Sequence, residues 1–177
     1  MKIAINRINF DYRDEGEGTP IIFIHAFPLN QLMWDEQVVR LKNHCRVITL
    51  DLRGFGKSDV PDGSYTMDQM AADVRELMSA LDIDRAALAG LSMGGYIALA
   101  FCRNYPEAVR ALVLADTRAS ADTREARDRR LKSAEKAERE GARAIADDMI
   151  PLLLGRSTVA RRPDIVERVS RKTRSLP

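Results

Sequence analysis

The sequence predicts an α/β protein with a mostly parallel sheet and helices on both faces. Three observations carry that prediction. Short, mostly apolar runs recur at Ile21-Ile22-Phe23-Ile24, Arg46 to Leu50, Ala86 to Ala89 and Ala111 to Ala115, as strands buried on both faces should. Segments of helical period lie between the later runs. At Gly90-Leu91-Ser92-Met93-Gly94 an apolar run stops at a glycine, and another run, too long for a strand, follows it.

Taken in order, residues 2–14 alternate, with Ile3, Ile5, Ile8 and Phe10 among polar neighbours, which predicts one or two antiparallel edge strands. Gly16 and Gly18 close that region, and the first buried strand runs into His25-Ala26-Phe27-Pro28. Leu32 to Leu41 fits a short helix with Trp34, Val38 and Leu41 inward. The strand over Arg46 to Leu50 ends at Asp51, and a glycine-rich loop follows to Asp59. Its Gly56-Lys57-Ser58 is not a phosphate loop. That motif needs a glycine at position 51, where Asp stands, and a helix at Lys57-Ser58, where Pro61 and Gly63 soon follow. Thr66 and Gln69 have capping-box spacing, and Met67, Met70, Ala71, Val74, Leu77, Met78 and Leu81 form one apolar helix face. The methionines there read as core filler. Met93 to Asn104 reads as a buried helix that Pro106 ends. By this reading His25, Asp51, Ser92 and Asp116 stand at strand carboxyl ends and share one rim, where sites in such sheets lie.

After Asp116 the chain changes character. The 177 residues carry a net charge of +2, but residues 1–116 hold 12 basic and 16 acidic side chains, a balance of −4, and residues 117–177 hold 16 and 10, a balance of +6. The division is therefore 1–116 as a core and 117–177 as a helical segment. Residues 122–140 fit a helix supported by Glu125/Arg129, Asp128/Lys132 and Glu135/Arg139 pairs. Ala142 to Leu154 fits a second helix, and Pro163 starts a third. The basic excess reads as a solvated helix face. Nucleic-acid binding is not expected, because the segment has no Phe, Tyr or Trp for stacking. No run approaches membrane-spanning length and no secretory signal is legible. Cys45 and Cys102 fit no metal or redox spacing and read as buried thiols, so the expected location is cytoplasmic.

Chemistry centres on Ser92. In a strand–turn–helix with Gly-x-Ser-x-Gly spacing, the serine takes a strained backbone position that pushes its hydroxyl above the sheet. Gly90 and Gly94, lacking Cβ, let strand and helix pass closely beside it. The free N–H groups of the helix start favour negative charge there.

Together, His25-Ala26-Phe27-Pro28, the Asp51–Asp59 loop and Gly90-Leu91-Ser92-Met93-Gly94-Gly95 resemble the α/β-hydrolase family over residues 1–116. The following segment is similar to the helical lid of members akin to 3-oxoadipate enol-lactonases and small esterases. The resemblance implies that Ser92 is the nucleophile and that the main-chain N–H groups of Phe27 and Met93 form the oxyanion hole. His25 is a structural residue of that loop, and no metal or organic cofactor is implied. The family usually has glycine where Ala26 stands, but a backbone donor survives a methyl group. A serine rather than an aspartate at the turn implies acyl transfer to a small-molecule ester, lactone or thioester substrate.

The family order is serine, acid, histidine. Asp116 is a candidate acid, but the two histidines, His25 and His44, both precede Ser92. The expectation is thus a core incomplete at its C-terminus, with the base beyond Pro177. The alternative, from a different class, is a non-catalytic half that pairs with a complementing chain or its own copy as a homo-oligomer.

Overall fold

A computed structural model describes residues 1–173, without the side chains of residues 142 and 171–173; Pro177 lies outside the described residues. The chain divides into two compact units, Met1–Ala119 and Ser120–Pro177.

The first unit is one six-stranded sheet in the order β1-β2-β4-β3-β5-β6. Strands β1 (Lys2–Ile5) and β2 (Ile8–Glu15) form a hairpin. Its two loop residues, Asn6 and Arg7, have φ of 50° and 63°, the left-handed pair that a two-residue hairpin turn requires. Strand β4 (Arg46–Leu50) pairs antiparallel with β2, while β3 (Pro20–Ile24), β4, β5 (Ala86–Leu91) and β6 (Val109–Ala115) run parallel. The parallel strands therefore end on one rim, which receives His25, Asp51, Ser92 and Asp116.

The continuous apolar runs have their physical reason in two covered faces. Phe23, Val47 and Ala89 pack with Trp34 and Val38. The intervening Ile22, Ile48 and Leu88 are fully buried as well. Trp34 ends a 3₁₀ turn, Gln31–Trp34, capped by the Asn30 side chain, which accepts from Leu32 N–H at 3.0 Å. Helix α1 (Asp35–Leu41) follows, so the expected single helix over 32–41 is two pieces. Helix α2 (Met67–Ala80) starts as predicted, the Thr66 hydroxyl accepting from Gln69 N–H at 3.1 Å. Met70 and Met78 sit in its buried face. Helix α3 (Met93–Asn104) packs against α2 and β5.

The burial expected of β6 and of the two cysteines also needs correction. Strand β6 starts two residues earlier than its apolar run and is not buried. Among the described residues it lies at the sheet edge, paired with β5 alone, and Val113 and Leu114 remain 52% and 44% exposed. Cys45 and Cys102 are half-buried rather than buried, and both are free thiols.

The second unit is helical: α4 (Arg124–Glu140), α5 (Ala142–Leu153), α6 (Arg156–Arg161) and α7 (Pro163–Thr173). The short α6 has no apolar period and was not foreseen. Thr123 caps α4, and Gly141 at φ 84° ends it. The three predicted pairs along α4 are not ion pairs. Arg139 meets its neighbour Glu140 instead, while Arg130 meets Asp122 and Lys136 meets Asp148 across to α5. Among the described residues no helix is long and apolar enough to cross a membrane.

Candidate active site

The site is built where β5 gives way to α3. Ser92 takes φ 51° and ψ −111°, a left-handed conformation that costs a non-glycine residue about 1–3 kcal/mol and persists only where its surroundings fix it. They do so through both peptide groups. Ser92 N–H donates to Ala115 O at 3.0 Å, and Ser92 C=O accepts from Gly95 N–H at 2.9 Å and from the Thr117 hydroxyl at 2.9 Å. The Ser92 side chain caps nothing in α3 and is half-buried.

The two flanking glycines are steric necessities. A Cβ on Gly90 would stand 2.2 Å from Gly94 O, and one on Gly94 would stand 2.1 Å from Ile24 O and 2.9 Å from His25 O. Backbone oxygens cannot swing aside as a flexible side chain can. Gly94→Ala is accordingly expected to cost about 1–3 kcal/mol in urea unfolding, the usual cost of overpacking; an unchanged midpoint would show that β3 and α3 can separate freely.

That close approach sets the β3 loop beside the start of α3. Among the described residues, no acceptor takes the main-chain N–H of Phe27 or of Met93. Phe27 is 41% exposed and its ring meets Phe55 edge-on at 6.1 Å. Unclaimed main-chain donors on the rim that carries Ser92 are what a developing oxyanion needs.

His25 is fully buried and occupied. Leu52 N–H donates to its Nε2 at 3.0 Å, and its Nδ1 lies 3.1 Å from Ala26 O. An amide only donates and a carbonyl only accepts, so Nδ1 carries the proton and Nε2 is bare. Burial lowers its pKa from 6.5 to about 4, against the smaller opposing effect of the Ala26 carbonyl. Neither nitrogen is left to serve Ser92. His44 is exposed, two residues before β4 begins, at the opposite end of the strand from the rim.

Asp51 is the organiser that position alone did not reveal. Its carboxylate accepts from Gln31 N–H and Lys57 N–H, each at 2.8 Å, and burial raises its pKa despite those bonds. A Cβ on Gly56 would stand 2.1 Å from it. Ser58 Oγ donates to Asp51 O at 2.6 Å and accepts from Asp11 N–H at 2.9 Å. Lys57-Ser58 thus serves loop closure, and no helix begins there. Asp116 follows β6 at φ 41°, and its carboxylate makes no hydrogen bond or ion pair among the described residues. No group of three or more His, Cys, Asp or Glu among them could hold a metal ion.

Comparison with known proteins bears on the fold. Residues 19–147 match the family described as alpha/beta hydrolase fold. The chain is 29% identical over 168 residues to 3-oxoadipate enol-lactonase 2 of Acinetobacter baylyi, covering 95% of this chain and 61% of that protein. A solved thermophilic esterase from Thermogutta terrifontis superposes on all of this chain and 67% of its own, with TM-score 0.93 and 41% identity. An enol-lactonase from Burkholderia xenovorans covers 98% of this chain and 67% of its own, with TM-score 0.91 and 31% identity. The chain spans from about a third to two thirds of the length of the curated relatives it matches. A strained serine between obligatory glycines, a parallel rim and a family match over most of the chain converge on one statement: this chain belongs to the α/β-hydrolase fold family.

Proposed function

We propose that the chain is the nucleophile-bearing part of a serine hydrolase acting on a small ester, lactone or thioester. The observation that carries the reading is Ser92 at a strained strand–helix turn, with the N–H groups of Phe27 and Met93 left unclaimed on the same rim. Ser92 Oγ bonds to the substrate carbonyl carbon, and the two N–H groups take the oxyanion charge. Collapse breaks the bond to the alcohol or thiol and leaves an acyl-serine, which water then hydrolyses. The solved esterase and the enol-lactonase, both similar along nearly the whole chain, support ester-type bonds as the target.

The proton of Ser92 needs an acceptor. His25 is engaged at both nitrogens and His44 stands away from the rim, so the reading assigns the base to a histidine from outside residues 1–177. Asp116 remains the acid candidate on the rim. Without a base, the loss in rate is about 10⁴–10⁶-fold, by analogy with triad knockouts. The test follows from that deficit. A fluorophosphonate probe at high concentration is expected to modify Ser92 slowly, and added imidazole to speed the reaction by supplying the absent base. Ser92→Ala abolishes both. No adduct on Ser92, with or without imidazole, rejects the reading. A cytoplasmic location is a separate part of the proposal, supported by free Cys45 and Cys102, which suit a reducing compartment.

One observation favours a second reading, a half that pairs with another polypeptide: the unpaired β6 edge with Val113 and Leu114 exposed. A stable oligomer in native mass measurement, inert toward p-nitrophenyl acetate, would select it.

A further inference from the structure

Two residues beyond β6, the chain returns to the serine it has just passed. Leu91 pairs with Ala115, and Ser92 N–H continues the ladder by donating to Ala115 O at 3.0 Å. Asp116 then takes φ 41°, a conformation that only short polar residues and glycine adopt readily. That single left-handed residue turns the strand over its own end. Thr117 Oγ1 thereby donates to Ser92 C=O at 2.9 Å, beside the Gly95 N–H at 2.9 Å and the Tyr96 N–H at 3.3 Å that share the same oxygen. The contact is steric as well. A Cβ on Gly95 would meet Thr117 Cγ2 and Oγ1 at 2.5 Å, so the missing side chain at 95 is what leaves room for Thr117.

We propose that Asp116-Thr117 is a clamp on the nucleophile's main chain, with Thr117 as a positioning residue for Ser92. The strained turn must be over-determined by its neighbours to persist. Of the groups that hold it, Gly95 and Tyr96 belong to the same strand–helix turn and move with it. The Ala115 carbonyl and the Thr117 hydroxyl come from β6 and its extension, and they tie the turn to a separate strand. They grip opposite sides of one residue, its N–H and its C=O, and so resist rotation about the φ and ψ between them. The left-handed Asp116 is the hinge that lets two grips come from one strand. Calling the gripped residue a nucleophile rests on the hydrolase reading; the grip itself does not.

The test compares the full chain with Thr117→Val, which keeps the shape against Gly95 but loses the hydroxyl, and with Thr117→Ser, which keeps the hydroxyl. Hydrogen exchange at the Ser92 amide is expected to quicken about tenfold in Thr117→Val, the scale set by one lost hydrogen bond, and to recover in Thr117→Ser. The Ile22 and Phe23 amides of β3 serve as the internal reference and stay within about twofold. Equal quickening at β3 and at Ser92 makes the hydroxyl a general stability contact and overturns the proposal, as does unchanged Ser92 exchange in Thr117→Val. Fluorophosphonate labelling with imidazole present is the second readout: the Thr117→Val rate falls and the Thr117→Ser rate recovers. If the wild-type chain is never labelled, the hydrolase reading fails, and the exchange data still decide whether the clamp exists.

Discussion

Replacing Asp73 with Ala is expected to cost about 3–5 kcal/mol of stability, because it strands a guanidinium in the core. Arg53, in the loop after β4, sends Nε and Nη2 to the two carboxylate oxygens of Asp73 on α2, both at 2.6 Å. The side chains are 6% and 0% exposed. Asn6 of the β1–β2 turn donates to the same carboxylate at 2.9 Å, and the Tyr65 ring lies 5.9 Å from the Arg53 carbon. One carboxylate therefore gathers a hairpin, a loop and a helix. Removing it leaves buried donors unsatisfied, whereas removing the pair does not. The Arg53→Met/Asp73→Leu double variant is accordingly expected to regain most of the loss, since apolar replacements of buried pairs are often neutral or stabilising. Urea unfolding of the single and double variants checks this. A double variant no more stable than Asp73→Ala would mean that the cost lies in helix packing rather than in the orphaned charge. By contrast, exposed pairs such as Arg162–Asp164 contribute little when broken.

That pair marks the boundary of what the sequence shows. Strands covered on both faces announce themselves as unbroken apolar runs, and Arg46–Leu50 and Met93–Asn104 coincide with their sequence reading at both ends. The α2 cap was legible because its two partners stand three residues apart. Asp73 was not, because its partner stands twenty residues earlier in a loop and nothing local marks a buried charge on an otherwise apolar helix face. The pairs expected along α4 did not close, although helical spacing allowed them: Arg139 bonds its neighbour Glu140 instead of Glu135, so on an exposed helix face four-residue spacing does not fix the partner. At the site, the residue types and their strand-end placement were legible in Ser92, Gly90, Gly94 and His25. The grips of Asp51 and Thr117 were not, since each depends on a loop conformation.

Between pH 6.5 and about 4, His25 is expected to make the fold lose about 3 kcal/mol. Burial holds the imidazole neutral in the folded chain, while the unfolded chain protonates near the ordinary value. Across that window the unfolded state binds the extra proton, so stability rises with pH and falls as acid is added. Above pH 6.5 neither state is protonated and the contribution is complete. Asp51, raised by burial, works in the opposite sense, because the folded state takes up its proton first. The wild-type curve alone therefore understates the histidine, and the comparison must be with His25→Gln, whose amide can accept from Leu52 N–H and donate to Ala26 O without titrating. Urea unfolding from about pH 7.5 to 4.5 should give a wild-type slope steeper than that of His25→Gln by up to about 1.4 kcal/mol per pH unit. Parallel curves would show that the imidazole finds room to ionise in place. The local consequence is chemical. An imidazolium has no lone pair for Leu52 N–H, so protonation breaks one of the ties between the loop after β4 and the loop that carries Phe27. Slow fluorophosphonate labelling of Ser92 is then expected to fade in the same pH window in the wild type and to persist further into acid in His25→Gln. A shared acid limb would place the sensitive group elsewhere.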